Sequence, residues 1–203
     1  MNKIAAILLA AGRSRRMGAF KPLLPFGERT VIEACIHHLL EAGAEPVVVV
    51  VGHRAEEVRA QLSNLPVVFA ENSEAGSEMS VSIARGVEQI PDEAEAVLIA
   101  LVDQPAIAPE AIRHLIDERR RTKATLVVPT HEGRGGHPAL IDLKYRLELL
   151  KLDSQRGLRG FFEAHREEVS RVAVASPYIA RDMDTWDDYR ALYREIFDAE
   201  PPL

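Results

Sequence analysis

Cysteine is almost absent: Cys35 stands alone among 203 residues. No intrachain disulfide can form, and the chain suits a reducing, cytoplasmic setting. Positive charge is also short. The 25 Lys and Arg against 31 Asp and Glu leave a net charge of −6. An acidic chain has no general attraction to nucleic acid or to an anionic membrane, so any basic site must be local. No apolar run approaches the roughly 18 residues that cross a bilayer. Internal repeats and low-complexity tracts are missing, which leaves an ordinary globular chain. Two common nucleotide signatures are missing as well. There is no phosphate loop ending in Gly-Lys-Ser/Thr, and no Gly-x-Gly-x-x-Gly of the dinucleotide folds.

What is present is a globular composition, 47% hydrophobic and 28% charged. The length suffices for one domain with a sizeable core. We read residues 1–198 as that domain and residues 199–203, with Pro201 and Pro202, as a loose tail. The chain is organised around Ile4 to Lys21. An unbroken apolar run, Ile4 to Ala11, stops at Gly12. Arg13, Arg15, Arg16 and Lys21 follow around Gly18. An apolar strand feeding a glycine loop studded with cations is how α/β proteins hold phosphates. Backbone N–H groups and cationic side chains converge where the strand ends. Basic residues that follow an apolar run stand on the wrong side for an export signal. A merely solvated loop is the plain alternative.

Thr30 to Ala42 predicts a helix with Thr30 as N-cap and Gly43 as stop. Its apolar face is Val31, Ala34, Cys35, Ile36, Leu39 and Leu40. His37 and His38 diverge by about 100° on it and make poor joint metal ligands. Val47 to Val51 is an all-valine run. Without polar alternation it predicts a strand buried on both faces, as in a parallel sheet. Gly52-His53 ends it. A short helix over Arg54 to Leu62 and a brief strand over Val67 to Ala70 follow, the strand closed by Glu71-Asn72. Gly76-Ser77 starts a helix reaching Ile90. Ser77, Ser80 and Ser82 fall in its first turns, to hold a polar ligand or simply to cap.

The apolar run Ala96 to Val102 ends in Asp103-Gln104-Pro105. A carboxylate just past a buried strand lies where open α/β sheets place ligands. The alternative is an N-cap for the following helix. Pro109 opens a helix that ends in Arg119, Arg120 and Arg121, cations suited to a C-terminus. Ala124 to Pro129 is a strand. Thr130 to Pro138 carries Gly133, Gly135, Gly136, His131, His137 and Arg134, and reads as a ligand-touching loop without metal-site spacing. Ala139 to Ile141 is a strand, Leu143 to Leu152 and Gln155 to Arg166 are helices, and Val169 to Ala175 is a strand. Thr185 and Asp188 have capping-box spacing and open the last helix. Strands alternating with helices predict a three-layer α/β/α fold with a mainly parallel sheet.

Five stretches together resemble the MobA-like nucleotidyltransferases. They are Leu9-Ala10-Ala11-Gly12-x-Ser14-x-Arg16-Met17-Gly18-x-x-Lys21-Pro22-Leu23-Leu24, Gly76 to Ser80, Asp103-Gln104-Pro105, Gly136-His137-Pro138 and Asp182-Met183-Asp184-Thr185. The first marks the wider superfamily. Its combination with Gly-His-Pro points to the molybdenum cofactor cytidylyltransferase branch. The resemblance implies a Rossmann-like nucleotidyltransferase fold with Mg²⁺ as cofactor. It implies transfer of CMP from CTP to molybdopterin, giving molybdopterin cytosine dinucleotide and pyrophosphate. Leu9, Ala10, Ala11 and Gly12, with Arg13 and Ser14, would hold the nucleotide, and Ser80 would lie near it. Arg16 and Lys21 would hold the triphosphate, and with Asp103 form the catalytic set. Asp103, Asp184 and Asp182 would hold the metal. Gly136, His137, Pro138 and Arg159 would line the acceptor side.

A molybdoenzyme or its chaperone is the implied protein partner; nucleic acid and membrane are not. Two positions depart from the family pattern. Trp186 stands where Pro is usual, and Gly157-Leu158-Arg159 stands near the family's Gly-Ala-Arg. The related guanylyltransferases carry Gly-Gly where Ala11-Gly12 stands, so the Ala11 methyl favours a pyrimidine. The residue types suit the chemistry. A phosphate nucleophile is already ionised, so no Ser/His/Asp set is required. Cations and a hard-oxygen metal site offset the crowding of anions. Nucleotidyl transfer to a sugar phosphate and a non-catalytic nucleotide or molybdopterin carrier are the alternative functions.

Overall fold

The opening apolar run forms β1 (Lys3–Leu9), buried from Ile4 onward. The computed structural model describes residues 3–14, 16–74, 76 and 78–202. Arg15 of the expected basic loop and Ser77 of the expected helix start lie outside the described residues. Ala10 N–H still donates to Val50 O at 3.0 Å, and the chain then leaves the sheet. A small hairpin, β2 (Pro25–Phe26) and β3 (Arg29–Thr30), leads into α1 (Val31–Glu41). Thr30 is its N-cap as expected, in a reciprocal capping box with Glu33. Such a cap is worth about 1 kcal/mol.

The valine run is β4 (Val47–Val51), every residue of it fully buried. Then come α2 (Ala55–Gln61), β5 (Val67–Glu71), α3 (Met79–Glu88), β6 (Ala94–Leu101) and α4 (Pro109–Thr122). Helix α4 has Ala108 as its N-cap and Pro109 in its first turn. Asp103 therefore does not cap it, which removes the structural alternative for that carboxylate. β7 (Leu126–His131) turns into β8 (Arg134–Gly135), and β9 (Ala139–Asp142) follows. The expected loop from Thr130 to Pro138 thus contains a tight hairpin. Glu132 and Gly133 at its tip both have positive φ, the conformation that favoured two-residue hairpin turns require. Glutamate does not advertise that conformation, so composition alone reads as loop. The helix expected over Leu143 to Leu152 divides into a 3₁₀ turn, Leu143–Tyr145, and the single turn α5 (Arg146–Leu149). The chain ends with α6 (Gly157–Ala164), β10 (Val169–Ala173) and α7 (Trp186–Phe197).

The main sheet runs β10-β7-β9-β6-β1-β4-β5, with β8 added on β7. β1 pairs in parallel with β4 and β6, and β9 is the antiparallel intruder between β6 and β7. This is the expected three-layer α/β fold with a mostly parallel sheet. Alternate residues of β1 feed two cores. Ile4, Ala6 and Leu8 pack with α1, α2 and α4; Ala5, Ile7 and Leu9 pack with α3, α5 and α6. A third cluster seats α7 on the hairpin, with Met17 and Met183 buried in it. β1 is followed in sequence by its neighbour on one side, β4, and later by β6 on the other. That reversal opens a crevice beyond the carboxyl ends of the strands, where such sheets bind ligands. After α7, Glu200 accepts two hydrogen bonds from Arg194 and Pro201 is buried.

Candidate active site

A cleft of about 720 Å³ occupies that crevice. Leu9, Ala11, Gly12, Arg13, Ser14, Arg16 and Lys21 line one wall; Asp103 and Asp184 stand beside them. The loop between β1 and the 3₁₀ turn Lys21–Leu23 is bent back on itself. Ser14 has φ 50°, Met17 and Gly18 donate to Ser14 O, and Ser14 Oγ accepts from Lys21 N at 3.2 Å. Lys21 is thereby pinned. It is only 7% exposed, not the exposed loop residue its setting in the sequence suggests. Pro22 follows it inside the same 3₁₀ turn, and the turn buries both.

Lys21 Nζ lies 2.8 Å from Asp184 Oδ1 and 3.6 Å from Asp103 Oδ2. Arg16 Nη1 lies 2.6 Å from Asp184 Oδ2. Arg16 and Asp184 are separated by most of the chain, yet Met17 and Met183 bring them together by sharing one apolar cluster. Asp184 is further held from behind: Asp188 accepts from the backbone N–H groups of Asp184 and Thr185 in the α7 capping box. Met183 N donates to Asp103 O at 2.9 Å, which ties the Asp182–Asp184 segment to the end of β6. Gln104 adds a second tie, its amide donating to Asp182 Oδ1 at 2.8 Å.

The electrostatics of the aspartates differ. Burial pushes the Asp103 carboxyl above the ordinary range; Lys21 opposes this, while Asp182 and Asp184 add to it. Asp184 is held below its ordinary value, first by the hydrogen bond from Lys21. Asp103 Oδ1 is buried and has no hydrogen-bond partner among the described residues. An orphaned carboxylate oxygen beside two more carboxylates and a lysine suits a hard divalent cation, and Mg²⁺ commonly takes one or two carboxylates plus phosphates and water. The expected set of three aspartates is not assembled, however. Among the described residues no group of three or more His, Cys, Asp or Glu side chains is arranged to hold a metal ion. The reason is local: Asp182 is engaged by Gln104 and Asp184 by Arg16 and Lys21.

The remaining expected residues fall in several places. Ala10 is buried beneath the loop and does not line the cleft. Ser80 is also buried off the cleft; Ser82, two residues on, lines it instead, since positions i and i+2 of a helix face apart. Gly136, His137 and Pro138 sit outside the cleft lining, with His137 beside Ile99 of strand β6. His137 N–H donates to Ile179 O at 2.8 Å, and its Nδ1 lies 3.2 Å from Ile99 O. Burial pushes the His137 imidazole down, with Asp182 and Asp103 acting against it, so this motif shares the field of the aspartates. Arg159 is not brought to the cleft. It lies on α6, 88% exposed, paired with Glu163 four residues on.

The opposite wall is Gly52, His53 and Arg54 after β4 and Asn72, Ser73 and Glu74 after β5, none of them an expected site residue, together with Gly76 and Met79 of the expected Gly76 to Ser80 stretch. The signal was available: these residues follow buried parallel strands, and ligands collect at those ends. A Cβ on Gly52 would stand 2.7 Å from Asn72 O and 3.0 Å from the Ala11 Cβ, so the loops after β1, β4 and β5 meet there. Arg54 is held by stacking on Phe20, 4.8 Å from its ring centre.

The sequence model of the MobA-like NTP transferase domain matches residues 6–169. The chain belongs to the MobA-like NTP transferase family. Among curated relatives, the bifunctional protein GlmU of Syntrophotalea carbinolica is 34% identical over 134 residues, 64% of this chain and 28% of GlmU. The chain thus spans about a quarter of that relative's length. The nicotine blue oxidoreductase of Paenarthrobacter nicotinovorans is 28% identical, covering 93% of this chain and 96% of its own. The molybdenum cofactor cytidylyltransferase of Escherichia coli is 24% identical over 97% of this chain and the whole of its own. Among solved structures, Rv0371c of Mycobacterium tuberculosis matches this MobA-like chain with a TM-score of 0.82. It is 31% identical, over 95% of this chain and 98% of that one. A structure of Rv0371c in complex with manganese is also known.

Proposed function

We propose that this chain is a Mg²⁺-dependent nucleotidyltransferase that transfers CMP from CTP to a molybdopterin-type acceptor and releases pyrophosphate. The observation that carries the reading is the meeting of Asp103, with its orphaned buried oxygen, and the cations Arg16 and Lys21 at one end of a strand-end cleft. The likeness to the E. coli cytidylyltransferase over the full length supports the acceptor class. The meeting of Ala11, Gly52 and Asn72 narrows the cleft and supports a pyrimidine over a purine.

In this reading Arg16 and Lys21 bind the triphosphate. The acceptor's phosphate oxygen forms a bond to the α-phosphorus, the bridging P–O bond to the β-phosphate breaks, and its electron pair leaves with pyrophosphate. The nucleophile is already ionised, so no side chain takes a proton. Lys21, buried and pinned by Ser14, is in place before charge develops on the leaving group, the arrangement that stabilises a transition state most effectively, and the exposed Arg16 adds its charge beside it. Asp103 and Asp184 would hold the metal, which when bound supplies charge neutralisation at the phosphates. Gly136, His137 and Pro138 would face the acceptor.

The test is a screen of the four nucleoside triphosphates against molybdopterin and sugar phosphates, read by pyrophosphate release. CTP should exceed GTP by about tenfold or more, equal to roughly 1.4 kcal/mol. Asp103→Asn should stay folded and lose about two to three decades in rate. Absence of pyrophosphate with every triphosphate refutes turnover and leaves a carrier. The oxidoreductase name of one relative favours a second reading, in which the cleft serves electron transfer. Hydride transfer from a reduced nicotinamide dinucleotide to an added quinone acceptor, which leaves as the quinol, without pyrophosphate release would establish that instead.

A further inference from the structure

Asp184 uses both carboxylate oxygens on the cations of the basic loop. Oδ2 is 2.6 Å from Arg16 Nη1, and Oδ1 is 2.8 Å from Lys21 Nζ. A two-oxygen anion bridging two cations is how a phosphate would sit there. We propose that Asp184 is a built-in competitor for the phosphate seat, which makes occupation by a triphosphate depend on a cation that takes Asp184 over. The proposal rests on the nucleotide reading above.

Three features make the contact more than a passing surface pair. First, the lysine side chain is only 9% exposed, so solvent and salt screen its bond poorly, whereas Arg16, 76% exposed, adds little. Second, the carboxylate cannot drift away with its loop. Met183 is 1% exposed in the α7 cluster, Met183 N is bonded to Asp103 O, and Asp188 holds Asp184 N at 3.2 Å. Third, Asp184 has nowhere favourable to go. The other nearby carboxylates, Asp103, Asp182 and Asp188, are all of the same sign.

An arriving triphosphate must therefore displace Asp184 and leave it unpaired among other carboxylates. A divalent cation arriving with the phosphates offers Asp184 a replacement partner. Affinity for phosphate and affinity for the cation are then coupled, and by linkage the coupling is reciprocal. A triphosphate without a divalent cation binds poorly, and so does a simple phosphate. Removing Asp184 should relieve that block, so a residue of the site is expected to weaken metal-free binding by its presence.

The experiment titrates the wild-type protein, Asp184→Asn and Asp182→Asn with inorganic tripolyphosphate by calorimetry, at low salt with a chelator. Asp184→Asn should bind about tenfold more tightly than wild type. Asp182→Asn removes the same charge but touches Gln104 rather than the cations, so it should stay close to wild type. On adding Mg²⁺ the wild type should gain more affinity than Asp184→Asn. Asp184→Ser serves as the second variant if the first does not fold. Equal or weaker metal-free binding by the Asp184 variants overturns the competitor role alone. Equal tightening by Asp182→Asn also overturns it, because general charge removal then explains the gain. Failure of every protein to bind tripolyphosphate overturns the nucleotide reading together with this one.

Discussion

Replacing Gly136 with alanine tests how tightly the loop before β9 is fixed to the segment before Asp182. A Cβ at this position would stand 2.0 Å from Ile179 O and 2.5 Å from Ile179 C, where ordinary contact begins near 3.4 Å. Both obstacles are backbone, so no rotamer change relieves them. Either the 135–138 segment or the 3₁₀ turn Pro177–Ala180 must move by about 1 Å or more. Overpacking of this kind costs about 1–3 kcal/mol. The bond from His137 N to Ile179 O, 2.8 Å long, is strained in the same step. Its loss adds about 1 kcal/mol. A total near 2–4 kcal/mol lowers Tm by very roughly 4–16 °C for a domain of this size. The same displacement moves His137 and the lead-in to Asp182, and a misplacement near 1 Å can cost about a hundredfold in rate. Denaturant melts beside a pyrophosphate-release assay measure both. A variant with wild-type midpoint and turnover refutes the claim that this glycine is there for the approach of two backbones.

Gly12→Ala is the contrasting case: an added Cβ meets nothing within 4 Å, yet the position lines the cleft. Its melting midpoint should match wild type while CTP affinity falls about tenfold or more, as a competition assay would detect. Lys21→Ala should lower kcat/KM by about two to three decades. Because Lys21 is buried between Asp103 and Asp184, its loss should also cost about 1–3 kcal/mol; an unaltered melt would contradict the burial argument. His165 gives a pH dependence. Its Nε2 is 2.8 Å from Glu148 and its Nδ1 is 3.3 Å from Glu168, and these carboxylates raise its pKa above 6.5. A raised histidine stabilises the fold fully below its unfolded value and loses that contribution as pH climbs through the folded value. Melting temperature should therefore decline from pH 6.5 upward through the neutral range, and His165→Gln should flatten that slope.

The elements were legible wherever local chemistry repeats with the period of the structure. Five valines without polar alternation could only be a strand covered on both faces, and β4 is one. Thr30 with Glu33, and Thr185 with Asp188, have capping spacing, and each pair closes the box in the fold. The basic loop after β1 was readable for the same reason: its glycines, serine and cations lie within a few residues of one another. What sequence could not show is how distant segments divide the work. Arg16 meets Asp184 because Met17 and Met183 share a core beneath α7, a packing decision with no local signal. Lys21 looks like a loop cation in sequence and is buried because the loop folds over it. Asp103 was freed from its helix-capping alternative only when α4 proved to begin at Pro109 with Ala108 as its cap. Arg159 reads as a site residue in sequence and stays on an outer helix, paired with its own neighbour. Gly52 and Asn72 read as strand ends and become a wall of the cleft, because parallel strands must end side by side. Sequence determined which residues form strands, helices and cation-rich turns, since those follow from spacing along the chain. Tertiary structure alone decided which charges face one another, since that depends on how apolar surfaces far apart in sequence close over a common core.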